Sequence, residues 1–192
     1  MKRLSKTFSS LIALSLFTLT MPALAQITSG NVNLMIGEKT LDSDWEFGED
    51  TEKQGTFAID ADFSNEAWPV SINAAFYVSE EKIVARNAFV QEEYEVVTTE
   101  LRIGVKKIWQ TTAISGVQPY VAGGLANISG EFDPGDSDSG LGHYISGGAF
   151  WTLTNGLNVG IDFAMSSGDV EIQGGEVDAG GAHTNILVGY HW

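Results

Sequence analysis

The sequence predicts an all-β fold: an eight-stranded antiparallel transmembrane β-barrel preceded by a cleavable signal peptide. Three observations lead to this prediction. Segments of roughly 8 to 13 residues alternate between apolar and polar side chains, which is the period of a β-strand. The connections between these segments alternate between long and short. Beyond the N-terminal segment, no apolar run approaches the roughly 18 residues that a transmembrane helix requires.

The N-terminal 25 residues have the pattern of an export signal. Three basic residues among the first six precede an apolar run, Leu11–Met21, which is about half as long as a membrane-spanning helix. The run closes with Ala23-Leu24-Ala25, the small-x-small pattern that signal peptidase accepts. Residues 1–25 are therefore predicted to be a cleaved signal peptide, and residues 26–192 to be one barrel domain.

The remaining chain is strongly acidic and contains no cysteine. Three of the 10 Lys and Arg residues lie in the signal peptide and none of the 25 Asp and Glu residues does, so the mature charge is 7 − 25 = −18. Such a surface repels phosphate, which argues against nucleic acid as a partner. Without cysteine the chain has no disulfides and no lipid anchor on an N-terminal cysteine.

Eight segments are predicted to be strands. Five alternate clearly, with apolar residues on one face and small or charged residues on the other: Thr56–Phe63, Trp68–Ser79, Val97–Trp109, Leu157–Met165 and Thr184–Trp192. Three alternate less clearly, two of them because they are rich in glycine: Asn31–Glu38, Pro119–Gly130 and Leu141–Trp151. Eight is an even number, as single-chain bacterial barrels require.

The connections predict which end of the barrel faces the outside. Four long polar links are expected to be extracellular: Lys39–Lys53, Glu80–Glu93, Glu131–Gly140 and Asp169–Gly181. Three short links are expected to be periplasmic turns: Ser64–Ala67, Gln110–Gly116 and Thr152–Gly156. The acidic residues are concentrated in the long links, so the outer surface is expected to be acidic.

Alternation alone does not decide whether the apolar face meets lipid or a buried core, since a soluble up-and-down barrel also alternates. Aromatic residues near the ends of the apolar faces favour lipid, because girdles of this kind lie at membrane interfaces. These residues are Phe57, Phe63, Trp68, Trp109, Tyr190 and Trp192. We therefore expect the apolar faces to point outward.

The chain ends on Ile186-Leu187-Val188-Gly189-Tyr190-His191-Trp192, which resembles the C-terminal assembly signal of outer-membrane proteins. The resemblance implies recognition by the barrel-assembly machinery through Val188, Tyr190 and Trp192. Residues 26–192 as a whole resemble the small porin-like barrels of the OmpA transmembrane-domain and OmpX type. That resemblance implies a monomer in the bacterial outer membrane, in contact with lipid and lipopolysaccharide. No counterpart of the peptidoglycan-binding domain of full-length OmpA is expected after the last strand, so the resemblance does not imply anchoring to the cell wall.

Six charged residues are predicted to point into the barrel: Asp60, Asp62, Glu100, Arg102, Lys106 and Asp162. An eight-stranded barrel is only wide enough for its own side chains, and buried charges must be paired. The size favours a salt-bridged plug. The alternative is a gated narrow pore, which would open when Arg102 or Lys106 leaves its carboxylates.

Asp133, Asp136 and Asp138 form the best candidate for a cation site, because hard divalent cations prefer closely spaced carboxylates. The segment lacks the glutamate that completes an EF-hand loop, and an ordinary acidic loop is favoured. No cofactor is predicted.

Catalysis is not predicted. His143 and Ser146 are three residues apart on a strand and so point to opposite faces, while His183 shares its face with Asn185 but with no serine on that strand. We expect a closed barrel with acidic loops that serves envelope structure or surface interaction. The alternatives are a narrow channel for small or hydrophobic solutes and, less favoured, a lipid-A-modifying enzyme.

Overall fold

A computed structural model describes residues 29–41, 53–86, 91–111, 115–133, 136–172 and 175–192. The predicted signal peptide, residues 1–25, lies outside the described residues, as does most of the link between the first two strands. The described part of the chain contains no helix that is long and apolar enough to cross a membrane.

The described residues form an antiparallel barrel of eight strands, which confirms the predicted fold. Around the barrel the strands follow the order β1-β10-β7-β6-β5-β4-β3-β2, and β1 pairs with β10 to close it. The barrel strands are β1 Ser29–Leu41, β2 Lys53–Ser64, β3 Ser71–Arg86, β4 Gln91–Ile108, β5 Val117–Asp133, β6 Asp136–Thr152, β7 Leu157–Ser167 and β10 Gly181–His191. Two further short strands, β8 Asp169–Ile172 and β9 Gly175–Asp178, form a separate hairpin.

The apolar faces of the strands point away from the barrel. On β1, for example, Val32, Leu34 and Ile36 are 43%, 52% and 63% exposed, while the inward Asn33 and Met35 between them are buried. All eight barrel strands carry outward apolar side chains of this kind. A continuous apolar exterior of this extent fits hydrocarbon, and the closed strand pairing satisfies the backbone groups there.

Aromatic side chains form a belt at the end of the barrel that carries the short turns. Exposed on this end are Trp68, Trp109, Trp151, Tyr190 and Trp192, which include four of the chain's five tryptophans. Trp151 completes the belt although it was not among the predicted aromatics. Such belts lie at the membrane–water interface, so this end marks one edge of the apolar band.

Several predicted strand boundaries were wrong. The links Glu80–Glu93 and Glu131–Gly140 are mostly strand, because β3 and β4 pair as far as Arg86 and Gln91, and β5 and β6 as far as Phe132 and Asp136. The backbone pairing continues in these segments although their sequences lose the regular alternation that marks a strand, as in Glu80-Glu81-Lys82-Ile83-Val84-Ala85 of β3. At the other end, β3 begins at Ser71 and not at Trp68, because Trp68 donates to the Asn65 carbonyl in a turn.

Gly30 near the start of β1 and Trp192 after β10 close the barrel together. Gly30 donates to the Trp192 carbonyl over 3.2 Å, and the Trp192 N–H donates back over 3.1 Å. The Trp192 ring lies against Phe63, with ring centroids 6.0 Å apart. A Cβ atom on Gly30 would lie 2.6 Å from that ring, so the close approach of the two strands requires glycine at this position.

Candidate functional site

The inward faces of the strands hold two clusters of charged side chains. The cluster nearer the long connections consists of Lys39, Glu100, Arg102 and His183, and we call it the outer cluster. The cluster nearer the short turns consists of Asp60, Asp62, Lys106 and Asp162, and we call it the inner cluster. All eight side chains are buried.

One carboxylate organises the outer cluster. Arg102, two residues along β4 from Glu100 and therefore on the same face, donates to its Oε2 through Nε at 2.9 Å and Nη2 at 2.6 Å. The other oxygen, Oε1, accepts from Lys39 Nζ at 2.9 Å and from Ser166 Oγ at 3.0 Å, and lies 3.0 Å from His183 Nε2. Glu100 therefore holds two cations from different strands, β1 and β4.

The cations of the outer cluster are fixed further by uncharged groups. The Arg102 guanidinium lies over the Tyr77 ring, 3.9 Å from its centroid, and 5.2 Å from that of Tyr144. The Lys39 ammonium also donates to Thr98 Oγ1 at 3.0 Å and to the Ala179 carbonyl at 2.7 Å. With the bond to Glu100, all three Lys39 hydrogens have acceptors.

The inner cluster has the opposite composition, with one ammonium among three carboxylates. Lys106 forms a short ion pair with Asp60 and a second with Asp62, where the two atoms are 3.4 Å apart. Its ammonium also lies 4.9 Å from the centroid of the Tyr120 ring. Asp162 instead accepts from the Tyr120 hydroxyl at 2.7 Å and from Asn185 at 3.2 Å.

Asparagine amides supply the donors that the inner carboxylates need. Asn73 donates to Asp60 over 2.7 Å, and Asn31 donates to Asp62 over 2.9 Å. Asn158 donates in turn to the oxygen of Asn31 over 2.9 Å. These amides come from three strands, so the inner cluster ties opposite sides of the barrel wall together.

Apolar residues separate the two clusters along the strands. On β1, Met35 lies between Asn33 at the inner end and Lys39 at the outer end, and on β2, Ala58 lies between Asp60 and Gln54. These two residues belong to a buried group with Ala75, Tyr77, Tyr120, Phe150 and Leu187. An ion moving along the barrel would therefore meet an apolar layer between two bonded charge clusters.

The inner mouth holds a polar cavity of about 240 Å³. Asp62 and Lys106 of the inner cluster reach its wall, together with Asn31 and His191. The His191 ring nitrogen Nδ1 lies 3.1 Å from the oxygen of Asn31. Water at this end therefore reaches the edge of the inner cluster.

The candidate cation site is only partly described. Asp133 ends β5 and Asp136 begins β6, but their side chains lie outside the described residues. The exposed Asp138 carboxylate accepts the Glu171 N–H over 2.8 Å, and this bond lowers the pKa of Asp138. Within the described ranges, no group of three His, Asp or Glu side chains is placed to hold a metal ion.

Ser166, His183 and Glu100 are the residue types of a hydrolase triad, but they do not have the geometry of one. Ser166 and His183 both bond to the same Glu100 oxygen, and no hydrogen bond joins the two. A histidine placed in this way does not take the proton of the serine hydroxyl, which nucleophilic attack requires. The arrangement fixes charges in place and provides no activated nucleophile.

The sequence prediction missed two members of the outer cluster. Lys39 was assigned to a loop, whereas it lies in β1 and is 0% exposed. It falls on the inward face of Asn33 and Met35, so continuing the alternation one residue past Glu38 would have identified it. The alternation predicts that His183 shares the face of Asn185, but the sequence does not show that His183 meets Glu100 of another strand.

No protein-family model matches the chain, and no curated protein matches it in sequence. Among solved structures, Neisserial surface protein A (NspA) is similar to it, with a TM-score of 0.57 and 9% identity, covering 84% of this chain and 95% of that one. OprG from Pseudomonas aeruginosa has a TM-score of 0.57 at 8% identity, with coverages of 87% and 97%. Ail, the attachment invasion locus protein of Yersinia pestis, solved with the heparin analogue sucrose octasulfate, has a TM-score of 0.53 at 12% identity, with coverages of 85% and 97%. The chain therefore has the fold of the small eight-stranded outer-membrane β-barrel proteins.

Proposed function

We propose that this protein is a non-catalytic outer-membrane barrel with a charge-plugged interior, which serves envelope structure or surface interaction through an acidic outer surface. The observation that carries the proposal is the pair of bonded charge clusters with an apolar layer between them. Each cluster links side chains from several strands, so the bonds cross the lumen and also brace the wall.

The burial of these charges supports a closed interior. In the outer cluster Lys39, Glu100 and Arg102 are at most 1% exposed, so their attractions act in a medium of low dielectric constant. Moving one partner aside would leave an uncompensated buried charge, which costs several kcal/mol. An ion would therefore need to break both clusters to cross the barrel.

The exterior supports a location in the outer membrane and a single barrel as the working unit. Apolar side chains surround the barrel on all eight strands, so lipid contacts can cover the whole circumference. Val188, Tyr190 and Trp192 lie in one outward row on the closing strand, where the assembly machinery can reach them. Replacing Trp192 with alanine is expected to reduce assembled, heat-modifiable barrel in the membrane fraction, and unchanged assembly would refute the signal.

The outer end of the barrel favours cationic partners. Exposed carboxylates there belong to Glu80, Glu131, Asp138, Asp169, Glu171 and Glu176. These groups repel a polyanion such as the heparin analogue that Ail binds. They suit a basic protein surface, or the phosphates of lipopolysaccharide when divalent cations bridge the two.

Single-channel conductance of the refolded protein in planar bilayers tests the plug. We expect a quiet membrane for the native protein, because both clusters close the lumen. Frequent openings whose conductance changes in Arg102→Met or Asp60→Asn would show that the barrel is instead a narrow channel. Lys53→Met is the matched control, since Lys53 is 67% exposed and pairs with Glu38 on the outer surface.

Two further measurements separate the remaining functions. Uptake of a hydrophobic solute by cells that express the protein would support a solute conduit, and uptake equal to that of cells without it would exclude one. The mass of lipid A from expressing cells tests catalysis. We expect no mass shift, because no nucleophile and base are paired in the described interior.

A further inference from the structure

The β8–β9 hairpin leaves the barrel wall after β7 and returns at β10. Two of its residues, Val170 on β8 and Ala179 just after β9, are buried. They belong to one apolar group with inward-facing residues of β1, β4, β5 and β6, namely Leu41, Val96, Ala122, Ala126, Ile128 and Tyr144. Inward residues of four strands meet only within the lumen, so the base of the hairpin leans into the outer mouth, where β8 lies against β6 and β5.

The hairpin is attached to the outer cluster below it by one strong contact. The Ala179 carbonyl accepts from the Lys39 ammonium over 2.7 Å, and the same ammonium is bonded to Glu100. A hydrogen bond from a charged donor is about twice as strong as a neutral one. The position of the hairpin is therefore coupled to the charge cluster that closes the barrel.

A second attachment joins the two ends of the hairpin. The Asp178 carboxylate accepts from the Gly168 N–H at 2.9 Å, the Gly180 N–H at 2.7 Å and the Ser167 hydroxyl at 2.8 Å. The Ala179 N–H also donates to the Gly168 carbonyl at 3.0 Å. One carboxylate thus fixes the point where the chain leaves the barrel to the point where it returns.

The outer side of the hairpin carries charges of one sign. Asp169, Glu171 and Glu176 are exposed around a cavity of about 510 Å³, and Asp138 of β6 lies on the same cavity. The Asp138 carboxylate also accepts the Glu171 N–H over 2.8 Å, and this bond joins β8 to β6 at the outer surface. Below the hairpin, Gln54 Nε2 and Arg102 Nη1 are buried donors that have no partner among the described residues, and water could satisfy them if the mouth opened.

We propose that the β8–β9 hairpin is a lid over the outer mouth, held shut by the Lys39–Ala179 and Asp178 attachments, and that its release exposes the outer cluster to solvent and small solutes. This inference rests on the proposed function, since it assumes that the interior is otherwise closed. The apolar layer between the clusters stays in place when the lid opens, so an open lid admits solutes to the outer cluster without making a continuous pore.

The native chain has no cysteine, so one introduced thiol can report on the lid. Ser79→Cys is nearly isosteric and lies beneath it: Ser79 is buried, bonds to Thr56, and pairs on β3 and β4 with Thr98, which contacts Lys39. The reporter is labelled with a negatively charged methanethiosulfonate reagent in refolded protein. Asp178→Ala removes one attachment, and Glu176→Ala removes an exposed carboxylate of the same hairpin as the matched control.

We expect Asp178→Ala to raise the labelling rate about tenfold, because the rate follows the population of the open state, and Glu176→Ala to leave it unchanged. Equal rates in Asp178→Ala and the parent would overturn the proposal, and so would an equal increase in both variants. If Asp178→Ala does not migrate as a folded, heat-modifiable barrel, Asp178→Asn, which keeps the shape of the side chain, is judged by the same criterion. Conductance of the native protein tests the plug and the labelling ratio tests the lid, so either can fail alone.

Discussion

The outer and inner clusters solve the same problem with opposite charges. The outer cluster places two cations, Lys39 and Arg102, around the single carboxylate of Glu100. The inner cluster places three carboxylates near the single ammonium of Lys106 and adds asparagine and tyrosine donors. A carboxylate can take up a proton and become neutral, whereas a guanidinium stays charged. The outer cluster therefore depends on its central residue more strictly than the inner cluster does.

The unpartnered atoms reflect the same difference. In and around the outer cluster, three buried atoms have no partner in the described part of the chain: Arg102 Nη1, His183 Nδ1 and Gln54 Nε2. Among the described side chains bonded to the inner cluster, only Asn185 Oδ1 is in this position. Amides and hydroxyls adapt to an acidic cluster as donors, while the planar fork of an arginine leaves part of its donors unused when one carboxylate is available.

The largest effect is expected from Glu100→Gln, which keeps the shape of the side chain and removes the charge between two buried cations. The hydrogens of the new amide would also face the hydrogens of Arg102 or Lys39, which now donate to the carboxylate. We expect a loss of about 3–5 kcal/mol in the free energy of unfolding, the cost of breaking a buried ion pair. Urea unfolding of the refolded barrel measures it, with the exposed Glu38→Gln as control. A loss equal to that of the control would refute the central role of Glu100.

Lys106→Met is expected to cost less, and its cost is expected to depend on pH. At neutral pH it leaves Asp60 and Asp62 buried without their cation, at a cost of about 3 kcal/mol, the lower end of the range for a broken buried pair. As the pH falls, the folded variant binds more protons than its unfolded chain does, so its stability relative to the native protein recovers. Urea midpoints at pH 7 and pH 4 test this. Glu100→Gln is expected to show no such recovery, and a parallel recovery in both variants would contradict the comparison.

Tyr144→Phe tests the link between the clusters. The Tyr144 hydroxyl donates to Asn73 of the inner network over 2.9 Å, while its ring lies near the Arg102 guanidinium of the outer cluster. Removing the hydroxyl leaves the Asn73 oxygen without this donor, and we expect a loss of about 1 kcal/mol. The double variant with Lys106→Met, measured by urea unfolding, should lose less than the sum of the single variants, because both act on the same network.

The smallest expected effect is the opening of the lid at acidic pH. Burial acts to raise the pKa of Asp178, but the donors Gly168, Ser167 and Gly180, together with the Lys39 charge, outweigh it and lower that pKa. Asp178 therefore stabilises the closed lid above its ordinary pKa of 3.8, and this contribution is lost as the pH falls through its lowered value. The labelling rate of Ser79→Cys, divided by that of a free thiol at the same pH to correct for the loss of thiolate, should increase below about pH 4. A flat corrected profile there, with a barrel that still migrates as folded, would contradict the proposal that Asp178 holds the lid shut.

The sequence was sufficient for the barrel fold. Strict alternation in segments such as Thr56–Phe63 predicts strand, face and burial together, because the side-chain period of a strand is two and one face meets lipid. The same alternation places Asp60, Glu100 and Arg102 on the inward face. Alternation does not identify which inward side chains pair with each other. Glu100 lies on β4 and Lys39 on β1, and only the closure and stagger of the barrel bring the two charged groups to a distance of 2.9 Å.

By itself, then, the sequence determined an eight-stranded barrel with an apolar exterior and an aromatic belt, and it named six of the eight side chains that make up the two clusters. Only the tertiary structure decided that these charges divide into two clusters of opposite composition, and that β8 and β9 form a hairpin across the outer mouth. The physical reason is that alternation is a local property of one strand. Register between strands, the continuation of pairing beyond the apolar band, and the path of a connection over the lumen are set by contacts between residues far apart in the chain.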